Sequence, residues 1–201
     1  MWSQVDGNGQ NDLRLFSEAN TGDSNPLFNI GTANNGASGA IDFYIRQSGW
    51  PSVNHIHSTA EPYDGEWHHV VFVQEGGERR VYVDGELEDL ESARERDGEF
   101  RVNDTTIGGI LRSSASHWVT GLIDDVAIWK RALSDEEISV VQDAGLENRS
   151  ERLGAGMIAY WPLDAIQGEG TPDVINGYDL ELTNLNADEQ VEGGAGDATP
   201  G

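Results

Sequence analysis

Residues 64–90 read DGEWHHVVFVQEGGERRVYVDGELEDL, and no other stretch limits the fold so tightly. Two alternating apolar runs are joined and closed by turn residues at hairpin spacing. Trp67, His69, Val71 and Val73 fall on one face of an extended strand, with His68, Val70 and Phe72 on the other. Such a strand is expected to be buried on both sides. Glu75, Gly76, Gly77 and Glu78 then reverse the chain, because glycine accepts the positive φ that a tight hairpin turn demands. Residues 79–83 return as the partner strand, and Asp84-Gly85 makes the next turn. The pattern is an antiparallel β meander.

The rest of the chain repeats this grammar. Short alternating or apolar runs at residues 2–5, 13–17, 27–31, 41–45, 53–58, 105–110, 121–129, 157–163 and 178–182 read as strands. Between them lie a glycine- and asparagine-rich stretch (31–39), an acidic connection (84–99) and a polar loop (112–120) carrying His117 and Trp118. The period changes once. Ser134 with Glu137 three residues on is a capping box, and it predicts a short helix over 134–144 that Gly145 ends. Residues 146–156 read as a charged linker. The last stretch, 186–201, holds almost nothing to bury and reads as a disordered tail. Many short strands with one late helix predict an all-β antiparallel sandwich.

Composition narrows the partners. The 201 residues suffice for one sandwich with a real core. A formal charge of −24 disfavours nucleic acid and anionic membranes, and it favours solubility and cations. With no cysteine, neither a disulfide framework nor a thiolate metal site is available. No run approaches the roughly 18 apolar residues of a membrane span, and the first residues lack a signal-peptide pattern.

Three blocks then carry a resemblance. GEWHHVVFV (65–73) followed by RRVYVDGEL (79–87), and TTIGG (105–109) followed by GLIDDVAIWKRALSDEEI (121–138), resemble the middle and close of a laminin G-like domain. That group belongs to the concanavalin A-like lectin and glucanase superfamily. MIAYWPLDAIQGEG (157–170) and NGYDLELTN (176–184) resemble the opening of such a domain, yet here they follow its close. The resemblance implies an antiparallel jelly-roll β-sandwich over residues 1–145 that lacks its usual opening strands. Residues 157–185 are expected to dock on the same sandwich, beside Trp2 and 121–129, unless they begin a second module of a tandem array. It further implies a non-catalytic recognition module that binds glycan or protein, within a larger exported or cell-surface protein. A structural spacer beside an enzyme domain is the alternative, and a glycoside hydrolase the third reading.

Candidate residues follow from these readings. Glycoside hydrolysis needs two carboxylates flanking the bond, and the superfamily's Glu-x-Asp-x-x-Glu strand motif is absent. The nearest approach, ELEDLE at 86–91, lacks its spacing. His55 and His57 point to one face of a strand, with His68 and His69 on another close by in sequence, so three imidazoles could meet at zinc. Calcium is the cation the resemblance implies. Its expected ligands are Asp124, placed on a face with Leu122, Val126 and Ile128, together with Asp23, Asn25 and Asp164. Sugar binding would use loop aromatics and a neighbouring polar ring, here Trp50, Tyr63, His117 and Trp118, while Trp67, Trp129 and Trp161 are expected in the core.

Overall fold

The computed structural model describes residues 1–6, 10, 12–23, 27–32, 39–46, 54–76, 78–88, 101–147 and 149–183. Its strands begin with β1 (Trp2–Asp6), β2 (Arg14–Ala19), β3 (Leu27–Thr32), β4 (Ile41–Arg46) and β5 (Asn54–His57). The central hairpin follows as β6 (Asp64–Glu75), β7 (Glu78–Val83) and β8 (Glu86–Leu87). Then come β9 (Asp104–Ile107), β10 (Ile110–Leu111), β11 (Ala115–Ser116), β12 (Leu122–Asp124) and β13 (Val126–Trp129). Helices α1 (Asp135–Ala144) and α2 (Glu151–Gly154) precede β14 (Met157–Trp161), β15 (Gly170–Thr171) and β16 (Leu180–Glu181). Parts of the glycine-rich stretch and of the acidic connection, the whole expected tail, Trp50 and Asn25 lie outside the described residues.

Two five-stranded antiparallel sheets carry the fold, in the orders β12-β1-β6-β7-β8 and β5-β4-β3-β2-β9. Val5, Val70 and Val81 of the first meet Leu15, Ile30, Phe43 and Ile56 of the second in one apolar core. Phe72 crosses between the sheets, its ring centroid 4.9 Å from Phe43 and 5.3 Å from Phe28. This is the sandwich that the alternating strands predict.

Strand β6 is buried on both sides, for a reason visible in its partners. Val70 and Phe72 enter the inter-sheet core, whereas Val71 and Val73 join a second cluster with Tyr82, Ile138, Val141 and Tyr160. Helix α1 lies over that outer face. Its capping box forms as the sequence predicts: Glu137 N–H donates to Ser134 Oγ (3.3 Å), and Ser134 N–H donates to the Glu137 carboxylate (3.0 Å). Tyr82 ties β7 to this helix. Its hydroxyl donates to Asp135 Oδ1 at 2.6 Å.

Arg131 grips Glu137 through two parallel bonds of 2.7 and 2.9 Å. That ion pair, opposed by burial and helped by Ser134 N–H, holds the Glu137 carboxyl down at about 2. A depressed carboxyl stabilises the fold above its unfolded pKa, and the contribution fades as pH falls from about 4.5 through about 2. Glu137→Gln should therefore lower stability at pH 7 by about 2 kcal/mol, allowing for solvent around Arg131, and flatten the acid limb. Urea melts at pH 7 and pH 3 check this; equal losses at both pH values would contradict it.

Two sequence expectations are corrected here. Residues 146–156, read as a charged linker, pack against the sandwich, because Leu146 and Leu153 are each only 2% exposed and Trp129 Nε1 donates to Leu153 O at 2.8 Å. Residues 121–129 are not one strand, because Asp125 takes a positive φ of 51° and breaks the alternation. Ile123, Val126 and Ile128 consequently contact the core, and Asp124 falls off the face it was expected to share with Val126. Of the late strands, β14 pairs with β13, Val126 opposite Trp161, and β16 pairs with β15 in a short ribbon whose Leu180 packs against the inter-sheet core, while Tyr178 is 63% exposed.

Candidate functional site

The outer face of the second sheet is where polar chemistry collects. Strand β4 alternates: Ile41 and Phe43 enter the inter-sheet core, so Asp42, Tyr44 and Arg46 point the other way. Cross-strand register extends that face into rows. Ser17, Asn29, Tyr44 and His55 form one row, and Gly31, Asp42 and His57 the next. The loop through β10 and β11 folds over this face. Together they enclose a pocket of about 130 Å³ lined by Asp12, Arg14, Leu27, Asn29, Tyr44, Arg46, His55, Ile110, Arg112 and His117.

Each basic group is positioned by specific neighbours. Arg14 is 6% exposed, ion-paired with Asp12, and donates through Nη1 to Leu13 O at 3.1 Å. A neutral His117 with its proton on Nδ1 satisfies both of its contacts: Nδ1 donates to Asp12 Oδ2 (3.3 Å), and Nε2 accepts from Arg112 Nη2 (3.3 Å). Arg112, His117, Asp12 and Arg14 thus form one connected chain. Arg46 lies 5.8 Å from the Tyr44 ring centroid, and His55 stacks on Tyr44 with ring centroids 4.5 Å apart. Asn29 is 1% exposed; its Oδ1 accepts from Ser17 Oγ at 3.2 Å, while the buried Nδ2 donor has no partner among the described residues. A buried amide left in that state favours an incoming acceptor.

Glycine is required at one position of this wall. A Cβ on Gly31 would stand 1.9 Å from Leu13 O and 3.1 Å from Arg14 Nη1. Gly31→Ala should push β2 off β3, cost on the order of 1–3 kcal/mol and displace Arg14. A thermal melt lowered by several degrees checks this, and an unshifted melt would contradict it.

The sequence-predicted residues fare unequally. His117 lines the pocket, and Trp118 beside it is 43% exposed with its ring packed over Gly109. Tyr63 is corrected: it is 3% exposed and its hydroxyl donates to Gly31 O at 3.0 Å, so it supports the sheet from within and presents nothing to a ligand. Arg14, Asn29, Arg46 and Arg112 were not singled out from the sequence. Their signal was the outward half of each alternating strand.

The expected metal ligands come from separate segments of the chain. Asp23 is exposed in the turn after β2, Asp164 is exposed after β14, and buried Asp124 ends β12 with Oδ1 accepting from Asp125 N–H at 3.0 Å. Among the described residues these carboxylates do not gather three donors at one point. His68 and His69 sit on the first sheet, away from His55 and His57 on the second. His68 lies between Asp84 (2.6 Å) and Asp64 (3.1 Å), and these carboxylates lift its pKa against the downward pull of partial burial. His69 is 1% exposed and packed at a tilt against Trp2, and burial drives it well below the ordinary imidazole value.

A family model, Laminin_G_3, described as concanavalin A-like lectin/glucanases superfamily, matches residues 1–139. The chain belongs to this family. A search of the curated proteins found no match. Among solved structures, the CBM40 of Ruminococcus gnavus IT-sialidase bound to α2,3 sialyllactose is similar, with a TM-score of 0.57 and 18% identity over 70% of this chain and 79% of that one. The same CBM40 bound to α2,6 sialyllactose has a TM-score of 0.56 and 16% identity, over 70% and 79% of the two chains. The native heptameric SAP-like pentraxin from Limulus polyphemus has a TM-score of 0.54 and 18% identity, over 74% of this chain and 70% of that one. These likenesses support the sandwich fold. No helix among the described residues is long and apolar enough to cross a membrane.

Proposed function

We propose that this chain is a non-catalytic glycan-binding module whose pocket on the outer face of the second sheet takes a sugar bearing a carboxylate. The observation that carries this reading is that Arg14, Arg46 and Arg112 line one pocket with Asn29, whose buried Nδ2 has no partner among the described residues, in a protein of formal charge −24. Guanidinium forks match carboxylates bidentately, and in an acidic chain such a cluster selects anions locally. Tyr44, in contact with Arg46 and His55, offers an aromatic edge to the sugar ring, and exposed Trp118 extends the apolar surface nearby. The pocket is lined by one carboxylate, Asp12, already paired with Arg14 and His117, which is short of the two that glycoside hydrolysis uses. The sialyllactose complexes of a similar sandwich favour the same ligand class. In keeping with family and neighbours, the module is assigned to an exported or cell-surface protein.

A glycan array tests this reading. Signal confined to carboxylate-bearing glycans supports it, and signal on neutral glycans alone, or none, would overturn it. A parallel arm with a calcium chelator reads the calcium expectation: a signal that disappears assigns calcium to recognition, and an unchanged signal removes it.

A further inference from the structure

One row along the same outer face, Asp42 lies opposite His57 across the β4–β5 ladder, with His55 two residues before it on the same side. We propose that Asp42, His55 and His57 form a binding site for a divalent transition-metal ion, of which zinc best suits the donors. The proposal is independent of the glycan reading, although His55 also borders the pocket.

The geometry supports an ion in three ways. His55 Nδ1 is 2.8 and 3.0 Å from the two Asp42 oxygens, His57 Nε2 is 3.4 Å from Oδ1, and one ligand atom from each residue can be chosen with all three within 4.8 Å of one another. A tetrahedral ion holding nitrogen and oxygen donors at about 2.0–2.2 Å spaces them about 3.3 Å apart, so small side-chain adjustments seat it. Second, Asp42 is 1% exposed, and a dication held beside it complements a buried carboxylate. Third, the His57 side chain is 51% exposed and the His55 side chain 32%, which gives an ion access from solvent and leaves a coordination position open.

Donor type sets the selectivity. Calcium takes six to eight oxygens, and a set with two imidazole nitrogens disfavours it. Zinc, cobalt and nickel accept two imidazoles and a carboxylate. The strands already place the three residues: His55 and His57 share a face through the period of β5, and Asp42 is held beneath them by the register of β4.

Titration of the full chain with zinc alone, in competition with a chromophoric chelator at pH 7.5, tests the site. One equivalent should bind tightly, and cobalt in its place should show the intense visible bands of a low-coordinate ion. Losing even an outer-shell partner costs about 10–100-fold in metal affinity, so His57→Ala should weaken zinc by at least that much. Its exposed side chain makes the fold tolerant, and an unchanged melt without metal confirms that. His55→Ala should act the same way, while His68→Ala, on the other sheet between Asp64 and Asp84, should leave binding as it was. Zinc bound equally well by His57→Ala, zinc lost in His68→Ala, or a cobalt spectrum without low-coordinate bands would each overturn the proposal. No glycan is present in this titration, so its failure leaves the pocket's assignment untouched.

Discussion

Removing residues 157–201 is expected to abolish cooperative folding of the remainder. Strand β14 supplies Ala159 and Trp161 to the inter-sheet core and Met157 and Tyr160 to the cluster beneath α1, all nearly inaccessible. Its loss would also strip the ladder partner from Val126–Trp129 and expose Leu133, Ile138 and Val141. Truncating one buried aromatic costs about 3–5 kcal/mol, against a total stability of about 5–15 kcal/mol for a domain. A whole strand that links two cores exceeds that margin. Trp161→Ala is the milder version: at about 3–5 kcal/mol it should lower the melting temperature by roughly 6–20 °C in a chain of this size. Near-ultraviolet circular dichroism and thermal melts measure both. A truncated chain that melts like the parent would show that β14 is dispensable.

Replacing Arg46 and Arg112 together is expected to eliminate binding of a carboxylated glycan while leaving the fold intact. Both arginines are only partly buried, Arg112 on the β10–β11 loop and Arg46 at the end of β4. A hydrogen bond to a charged group contributes about 1.5–3 kcal/mol, which is roughly 10–150-fold in affinity for each arginine that meets the carboxylate. Arg112→Ala also frees His117 Nε2 from its donor, so part of its effect arises from a loosened His117. Single and double variants compared by calorimetric titration separate these contributions. Affinity retained in the double variant, with an unchanged melt, would place the ligand elsewhere.

How far the sequence foretold this molecule depends on how far apart the determining residues lie. The hairpin of β6 and β7 was legible because alternation and the glycine turn are local, and the helix was legible because Ser134 and Glu137 sit three residues apart. The break at Asp125 was not. Its positive φ coincides with a hydrogen bond from the Tyr160 hydroxyl, a contact across 35 positions that no local pattern contains. Tyr63 was misread for a related reason: flanked by Pro62 and Asp64 it looks like a loop aromatic, and only the return of the chain beneath β3 delivers its hydroxyl to Gly31.

The pocket was half legible. His117 stood out in its polar loop, but the arginines come from β2, β4 and the β10–β11 loop, and only sheet register brings them together. The alternation of residues 41–45 was read for its apolar half. Its polar half, Asp42 and Tyr44, continues into Arg46 and carries the chemistry of the face.

The central claim, a carboxylate-selecting pocket on the second sheet, is tested most directly by residue-resolved NMR titration of the chain with sialyllactose and, separately, with lactose. The account predicts saturable shifts at Asn29, Tyr44, His55 and the Arg112–His117 loop with sialyllactose, and none of comparable size with lactose. Equal responses to both sugars, or shifts confined to the first sheet and α1, would contradict it.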